Sequence, residues 1–434
     1  MNGAKNVTAV TSIRENKPDT CAASRIPIAG SRLLENQNSD AQLDIAMGGR
    51  ALLTPLTGIG QYASHLAREF VQRGHNVRFF YGTHWSSAHE SGGTPLSAGD
   101  AGGRRSWRTV AAAGVKRFAR KYLPGTYRFM PHVEQYRFDS GIRRRQAPQI
   151  YHDPNFIPFR FRGPTVITAH DVSWVRYPQY HPAARLALLR ANFPRALERA
   201  DRVIVVSDFV REELQACFPV AHDKIKVVHN GVSTRFRPRS SEATREVLTR
   251  HGLVHGQYFA AVGTLEPRKN LHTALAAHAR LPAPVRRRFP FTLIGVEGWL
   301  TDALHLALEP GLREGSVRKL GYVSDDEIPL LTAGALAIVY PSVYEGFGLP
   351  VIEGMASGVP VLCSTAQALR EVAGDAGIMR DPADVDGFSD AMQALIDDSA
   401  LRDQLIAAGT ARAHSFSWRR TAEETLAVYR QIVD

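Results

Sequence analysis

Two carboxylates eight residues apart, Glu345 and Glu353, carry the most pointed chemistry in this chain, inside Y-P-S-V-Y-E-G-F-G-L-P-V-I-E-G-M-A-S-G-V-P at Tyr340–Pro360. Ser342, Gly346 and Gly348 predict a turn where backbone can come close to a ligand. Pro350 suits the start of a helix, since its missing N–H is not needed there. Ile352, Met355 and Ala356 give that helix an apolar face and place Glu353 in its first turn. A helix N-terminus carries free N–H donors and partial positive charge, so an anion or polar ligand fits beside it. Taken singly, Glu353 only complements the helix dipole and Glu345 is a solvated loop residue; the whole loop–helix pattern reads as a ligand site. Three other groups stand at similar chain positions: Gly58 and Gly60, His170–Asp171, and Arg268–Lys269. Each follows an apolar run and precedes helical spacing. Their plain alternatives are a tight turn, a satisfied histidine at a strand end and a solvated turn.

The elements that must hold these groups alternate. In the first half, strands are expected at Leu43–Met47, Val77–Tyr81, Thr165–Ala169, Val203–Val206 and Ile225–Val228. Helices are expected from Ile59 through Phe70, closed by Gly74, and at Ala183–Arg199 and Asp208–Cys217. Trp107–Tyr122 has apolar residues on one helical face and cations on the other. Thr83–Gly103 and Tyr151–Phe161 read as loops, and Asn230–Ser240 as the linker between domains. A second series follows, with strands at Tyr258–Val262, Phe291–Ile294, Val317–Leu320, Ala337–Tyr340 and Val359–Cys363. Its helices fall at Leu271–Arg280, Asp325–Ala333, Pro350–Ser357 and Val385–Ile396. Repeated βα units predict parallel sheets, an α/β fold. Ligands of such sheets lie at the carboxyl ends of the strands, where all four groups stand, so a ligand touching both halves would occupy a cleft between them.

A chain of 434 residues is expected to form two domains. Cys21, Cys217 and Cys363 are far apart and suit a reducing compartment without a disulfide framework. No run approaches the ~18 apolar residues of a membrane span, and residues 1–40, polar and aperiodic, read as a disordered leader rather than a secretory signal. A cytoplasmic chain is expected. The net charge of +11 is concentrated: Arg104–Arg145 holds twelve Arg and Lys against Glu134 and Asp139. That segment suits a surface resting on anionic lipid, the alternative being a solvated basic helix side. No zinc-finger spacing, aromatic RNA-binding signature or basic zipper supports nucleic-acid binding. A dinucleotide oxidoreductase would need a G-x-G-x-x-G fingerprint, which is missing.

E-G-F-G-L-P-V-I-E resembles the E-x7-E element of the retaining glycosyltransferases of family four. T-G-I-G at Thr57–Gly60, A-H-D-V-S at Ala169–Ser173, V-S-D-F at Val206–Phe209, N-G-V at Asn230–Val232 and G-T-L-E-P-R-K-N at Gly263–Asn270 extend the likeness in the family's order, from about residue 43 to the C-terminus. The resemblance implies a GT-B fold: two Rossmann-like domains, an acceptor domain over 41–232 and a nucleotide-sugar domain over 241–415, with 416–434 packing back on the first. It implies that Arg268 and Lys269 clamp the diphosphate of the donor. Glu353 would take the ribose hydroxyls, while Glu345 with Gly346, Phe347, Gly348 and Leu349 would hold the sugar. His170 would contact the sugar near its reacting face, and Gly58 and Gly60 would approach the phosphate. The expected activity is transfer of a sugar with retained configuration, without an essential metal or other cofactor. The nearest subgroup resembles bacterial O-antigen and exopolysaccharide mannosyltransferases using GDP-mannose, acting on a glycan or lipid-linked saccharide in O-antigen, capsule or exopolysaccharide synthesis. Uridine- and thymidine-linked donors stay open, as does a non-catalytic nucleotide-binding GT-B protein. Gly354-Met355-Ala356-Ser357-Gly358 stands where the family more often has Ala-Met-Ala-Cys-Gly, a change between small residues.

Overall fold

The computed structural model describes residues 41–53, 58–87, 130–144 and 146–433. The expected leader, the amphipathic helix expected at Trp107–Tyr122 and most of the basic run lie outside the described residues. Among these residues the first sheet contains β1 (Asp44–Gly48), β2 (Asn76–Phe80), β3 (Trp85–Ser87), β4 (Ile150–Asp153), β5 (Thr165–Ala169), β6 (Arg202–Val205) and β7 (Ile225–Val227), ordered β3-β2-β1-β4-β5-β6-β7. All neighbours run parallel except β3, which turns back antiparallel along β2. The second sheet is wholly parallel: β8 (Phe259–Val262), β9 (Phe291–Ile294), β10 (Val317–Gly321), β11 (Ala337–Tyr340), β12 (Val361–Ser364) and β13 (Ile378–Arg380), ordered β10-β9-β8-β11-β12-β13. Both sheets reverse their winding beside their first strand, between β1 and β4 and between β8 and β11, and a crevice opens at such a switch point.

Apolar β-branched runs explain the central strands. T-V-I-T-A of β5 and A-I-V-Y of β11 are buried at every residue, as strands covered by helices on both faces must be. Cys363 is likewise wholly buried, in β12, and burial pushes its thiol up to about 12, so it packs as an inert core residue. Two segments expected to be loops are strands. Trp85–Ser87 pairs with β2, and Ile150–Asp153 is the central β4. The latter conceals polar groups that its neighbours satisfy. His152 is flanked by the Thr168 hydroxyl at 2.7 Å and that of Tyr429 at 2.5 Å, and Asp153 accepts from the Tyr151 hydroxyl at 2.7 Å. A further helix, Met130–Arg144, covers this side with Phe138 stacked on Phe159.

The last helix, Trp418–Val433, lies against the helix Gly58–Gln72 of the first domain. Trp418, Ala422, Leu426 and Tyr429 complete an apolar core with Ile45, Tyr62 and Phe70. A second apolar cluster runs between the halves, joining Phe156, Trp174 and Val210 to Tyr340, Phe347 and Leu369. Polar ties cross at the same level. Ser207 Oγ donates to the Gly346 carbonyl at 2.7 Å, and the Glu371 carboxylate receives the Asp208 and Phe209 N–H groups at 2.8 and 3.1 Å. The two sheets therefore face each other across a cleft whose floor is pinned.

Candidate active site

Arg268 and Lys269 occupy a short 3-10 turn, Pro267–Lys269, directly after β8. Asn270 closes that turn in the left-handed region at φ +52°, which asparagine tolerates better than most residues. Its amide donates to the Pro341 and Pro382 carbonyls at 3.0 and 2.7 Å, fixing the turn beneath the strand ends. Both cations point at Glu345. Arg268 Nη1 donates to Glu345 Oε2 at 2.7 Å and to the Tyr344 carbonyl at 2.8 Å; Lys269 Nζ donates to Glu345 Oε1 at 2.7 Å and to the Tyr340 hydroxyl. The other face of the Arg268 fork holds Glu266 at 2.5 Å. Side-chain exposures of 13%, 14% and 7% for Arg268, Lys269 and Glu345 make this a desolvated cluster, whose pairs are screened little by solvent. Burial would raise the Glu345 carboxyl, yet Arg268 and then Lys269 hold it down at about 2. Burial would likewise lower Arg268, and Glu345, Glu266 and Asp171 together push it well above its ordinary value.

The glycine loop is pressed against the opposite domain. A Cβ on Gly346 would stand 1.8 Å from the His170 carbonyl oxygen, so only glycine fits this approach. Gly348 sits at φ +104°, beyond comfortable reach of a side-chain-bearing residue, and leads into the helix Leu349–Ala356. Glu353 is the fifth residue of that helix. It lies in the second turn, not the first as expected, because the helix begins at Leu349 and Pro350 is its second residue. Its carboxyl therefore does not cap the dipole. It lines the cleft, makes no hydrogen bond to protein among the described residues, and is raised by burial to about 7.

His170, at the end of β5, donates Nε2–H to the Pro154 carbonyl at 2.9 Å, which leaves Nδ1 as an acceptor. Burial lowers it to about 4, with partial opposition from that hydrogen bond and from Asp171, so the ring is neutral at pH 7. Tyr62 meets it edge-on at 5.0 Å. Beside it, Phe156 holds φ +62°, an uncommon backbone state for an aromatic residue. Gly58 and Gly60 both fall in the first turn of their helix rather than in the preceding loop. Gly58 lines the cleft opposite Leu349, whereas Gly60 is buried outside the lining.

These groups surround one cleft of about 570 Å³. The structure brings together Glu345, Arg268, Lys269, His170, Gly58, Gly346, Phe347, Gly348, Leu349 and Glu353, and leaves Gly60 behind the wall. Sequence reasoning missed Glu266, Tyr340, His181, Arg185 and Trp299, which also line it. Glu266 stands two positions before Arg268 in G-T-L-E-P-R-K-N, a signal that was present; the others depend on distant packing. Among the described residues, one group has metal-ligand character, Asp208, His229 and Glu371, with atoms within 4.8 Å of one another. Glu371 is already engaged there, receiving two backbone N–H groups and contacting His229 Nε2 at 2.7 Å.

Two facing sheets of this winding, with a cationic cluster between them, define a GT-B glycosyltransferase. The description "Glycosyltransferase Family 4" matches residues 56–236, and "Glycosyl transferases group 1" matches residues 251–412. The chain is 35% identical over 379 residues to the O-antigen chain mannosyltransferase B of Escherichia coli, covering 87% of this chain and 96% of that one. It is 29% identical over 264 residues to the serotype-specific mannosyltransferase WbdA of E. coli, 32% of that longer protein. Among solved structures, Anabaena HepE in complex with UDP and glucose superposes with a TM-score of 0.66 at 15% identity, covering 90% of this chain and all of that one. WaaG, a glycosyltransferase involved in lipopolysaccharide biosynthesis, gives 0.65 at 16%, covering 88% and 99%. The chain belongs to the group 1 glycosyltransferases of family four, and it has the GT-B fold.

Proposed function

We propose that this protein is a retaining hexosyltransferase that moves mannose from GDP-mannose to a glycan or lipid-linked saccharide during cell-surface polysaccharide synthesis. The observation that carries this reading is the buried cluster of Arg268, Lys269 and Glu345 at the floor of the interdomain cleft. A donor diphosphate entering there competes with Glu345 for both cations. Exchange of partners would transfer the cations to the phosphates and free the Glu345 carboxylate for the hydroxyls of the sugar. As the glycosidic bond breaks, negative charge grows on the diphosphate, and cations already in position stabilise it without reorganising. Two protein cations supply the charge that a divalent metal supplies elsewhere, and no essential metal is proposed. The neutral His170 presents Nδ1 as an acceptor to the sugar. The choice of mannose leans on the mannosyltransferase relatives, and that of guanosine on the resemblance to enzymes that use GDP-mannose. Thermal-shift measurements with GDP, UDP and dTDP test it: strongest stabilisation by GDP is expected, and a clear preference for UDP or dTDP would overturn the donor assignment.

Glu353 would bind the ribose diol, and its protonation gives a second handle. The ionised carboxylate is the better acceptor, and its pKa near 7 places the change within ordinary buffers. Nucleotide affinity should therefore rise between pH 6 and 8 more steeply in wild type than in Glu353→Gln, which has no proton to lose. The sign for stability is opposite. A carboxyl raised above its unfolded value favours the fold below about pH 4.5 and loses that contribution as pH passes 7. Parallel calorimetric titrations of both proteins check it; equal slopes would remove Glu353 from the ribose site.

The protein would work in the cytoplasm, peripherally on the inner face of the membrane. No described helix is long and apolar enough to cross a bilayer. The described part of the basic segment, Met130–Arg144, exposes Val133 and Tyr136 beside Arg137, Arg143 and Arg144, which suits anionic headgroups. Co-sedimentation with phosphatidylglycerol vesicles should exceed that with phosphatidylcholine and fall with salt. Binding indifferent to both would remove this part of the proposal.

A further inference from the structure

Beyond His170, the first-domain wall of the cleft carries a hydrogen-bonded chain that the donor chemistry does not use. Asp171 accepts from the Ser173 N–H at 3.0 Å and from Ser173 Oγ at 2.8 Å. Burial would raise Asp171, but Arg268 and these hydrogen bonds hold it below its ordinary value, so it is ionised. An ionised carboxylate has no proton to give, so the single hydroxyl proton of Ser173 goes to Asp171. His181 Nε2, 3.0 Å from Ser173 Oγ, must then be the donor in that contact. This fixes the tautomer: the neutral ring carries its proton on Nε2 and a lone pair on Nδ1. That nitrogen has no hydrogen-bond partner among the described residues, although His181 is only 7% exposed and lines the cleft. A buried acceptor left bare is uncommon and calls for a reason.

Its surroundings have the composition of a sugar site. Arg185, four residues on, also lines the cleft, and its guanidinium makes no ion pair or hydrogen bond among the described residues; it lies 5.5 Å from the ring centre of Trp299. Trp299 comes from the opposite domain, its Nε1–H donating to the Tyr180 carbonyl at 2.6 Å and its ring 6.1 Å from that of His181. A fixed acceptor, a bank of donors and an aromatic plane together match a saccharide, whose hydroxyls both give and receive hydrogen bonds around an apolar ring face. The nucleotide groups, Arg268, Lys269 and Glu353, all belong to the second domain, and of the first-domain wall the donor reading uses His170 but neither His181 nor Arg185, which leaves these two for the other substrate.

We propose that His181 and Arg185, with Trp299 opposite, form the subsite for the acceptor saccharide, His181 Nδ1 receiving a hydrogen bond from one of its hydroxyls. Nδ1 is covered in this structure, so the saccharide would reach it by turning aside the Trp299 end of the loop, where Leu300 holds φ +55°. The proposal rests on the transferase reading above, and its test separates the two. Wild type and His181→Gln are compared in three assays: stabilisation by GDP, hydrolysis of GDP-mannose in the absence of acceptor, and mannosyl transfer to p-nitrophenyl α-mannosides of one to three residues. Gln can keep the donor to Ser173 while removing the acceptor at Nδ1. His181→Asn can restore an oxygen near Nδ1. The expected result is a rise in acceptor KM of roughly tenfold, the scale of one lost hydrogen bond, with GDP stabilisation and hydrolysis unchanged in His181→Gln and with partial recovery in His181→Asn. An unchanged acceptor KM in both variants would overturn the proposal, as would parallel loss of GDP stabilisation, which would mark His181 as a structural or donor-side residue. Wild type that transfers to none of the mannosides would overturn the acceptor class, and wild type that binds no nucleoside diphosphate would overturn the donor reading as well.

Discussion

Replacing Arg268 by Ala should lower kcat/KM for sugar transfer by ~10²-fold or more, with a fall in kcat as well as a rise in donor KM. The fork of Arg268 is held between Glu266 and Glu345, so its position is set before any substrate arrives. A preplaced cation gains strength as the leaving diphosphate gains charge, which is why kcat must respond. Lys269→Ala should behave similarly but more mildly, since it removes one point charge and leaves the fork in place. Arg268→Lys should recover part of the loss: it keeps the charge and cannot span two oxygens. Loss of Arg268 also removes the first of the two cations that hold the Glu345 carboxyl down, so the acid limb of the residual activity should shift to higher pH. Steady-state kinetics across pH, with and without chelator, decides the matter. Normal transfer by both alanine variants, or loss of wild-type activity on chelation, would show that the diphosphate is not held by this pair.

Glu345→Gln is expected to separate chemistry from binding. The amide keeps the shape and removes the charge that would orient the sugar, so transfer should fall ~10²-fold while GDP binding is kept or improved, the two cations no longer being shared with a carboxylate. Stability should move the other way. Arg268 retains Glu266, but Lys269 keeps only the Tyr340 hydroxyl, and breaking a desolvated pair in this manner costs about 3 kcal/mol. The pH signature follows from the same pairing. Glu345 is held at about 2, below its ordinary 4.5, so its contribution is full above about pH 4.5 and disappears as pH falls toward 2. Thermal melts of wild type and variant should therefore differ at neutral pH and converge in acid. Wild-type turnover by Glu345→Gln would place the sugar elsewhere.

Much of this site was legible in the chain because its parts are short, local and placed at strand ends. G-T-L-E-P-R-K-N and Y-E-G-F-G-L-P each set a turn after a strand, and adjacent parallel strands β8 and β11 bring those turns together. What escaped was written in tertiary contacts. Ile150–Asp153 looks like a loop because its histidine and aspartate have no local excuse for burial; Thr168 and Tyr429, 16 and 277 positions away from His152, provide it. Glu353 moved on by one residue, into the second turn, because Leu349, not Pro350, opens the helix, a boundary decided by the left-handed Gly348. His181 carries no signal of its own. Its interest arises only when Asp171 and Ser173 dictate which nitrogen keeps the proton.

The return of the last helix to the first sheet has a consequence in time. Tyr429 touches His152 of β4, and Trp418, Ala422 and Leu426 roof the apolar face that Ile45 and Phe70 leave open. On the ribosome, the whole second domain is made between the end of β7 and the start of that helix, about 190 residues. At ~5–20 residues per second this is a wait of roughly 10 to 40 s. Throughout it the first domain holds an uncovered hydrophobic groove and a buried histidine lacking one of its partners. Its native core is finished only when the chain doubles back, so the first domain is completed after the second although it is made before it, and a nascent first domain is the species on which a chaperone would act.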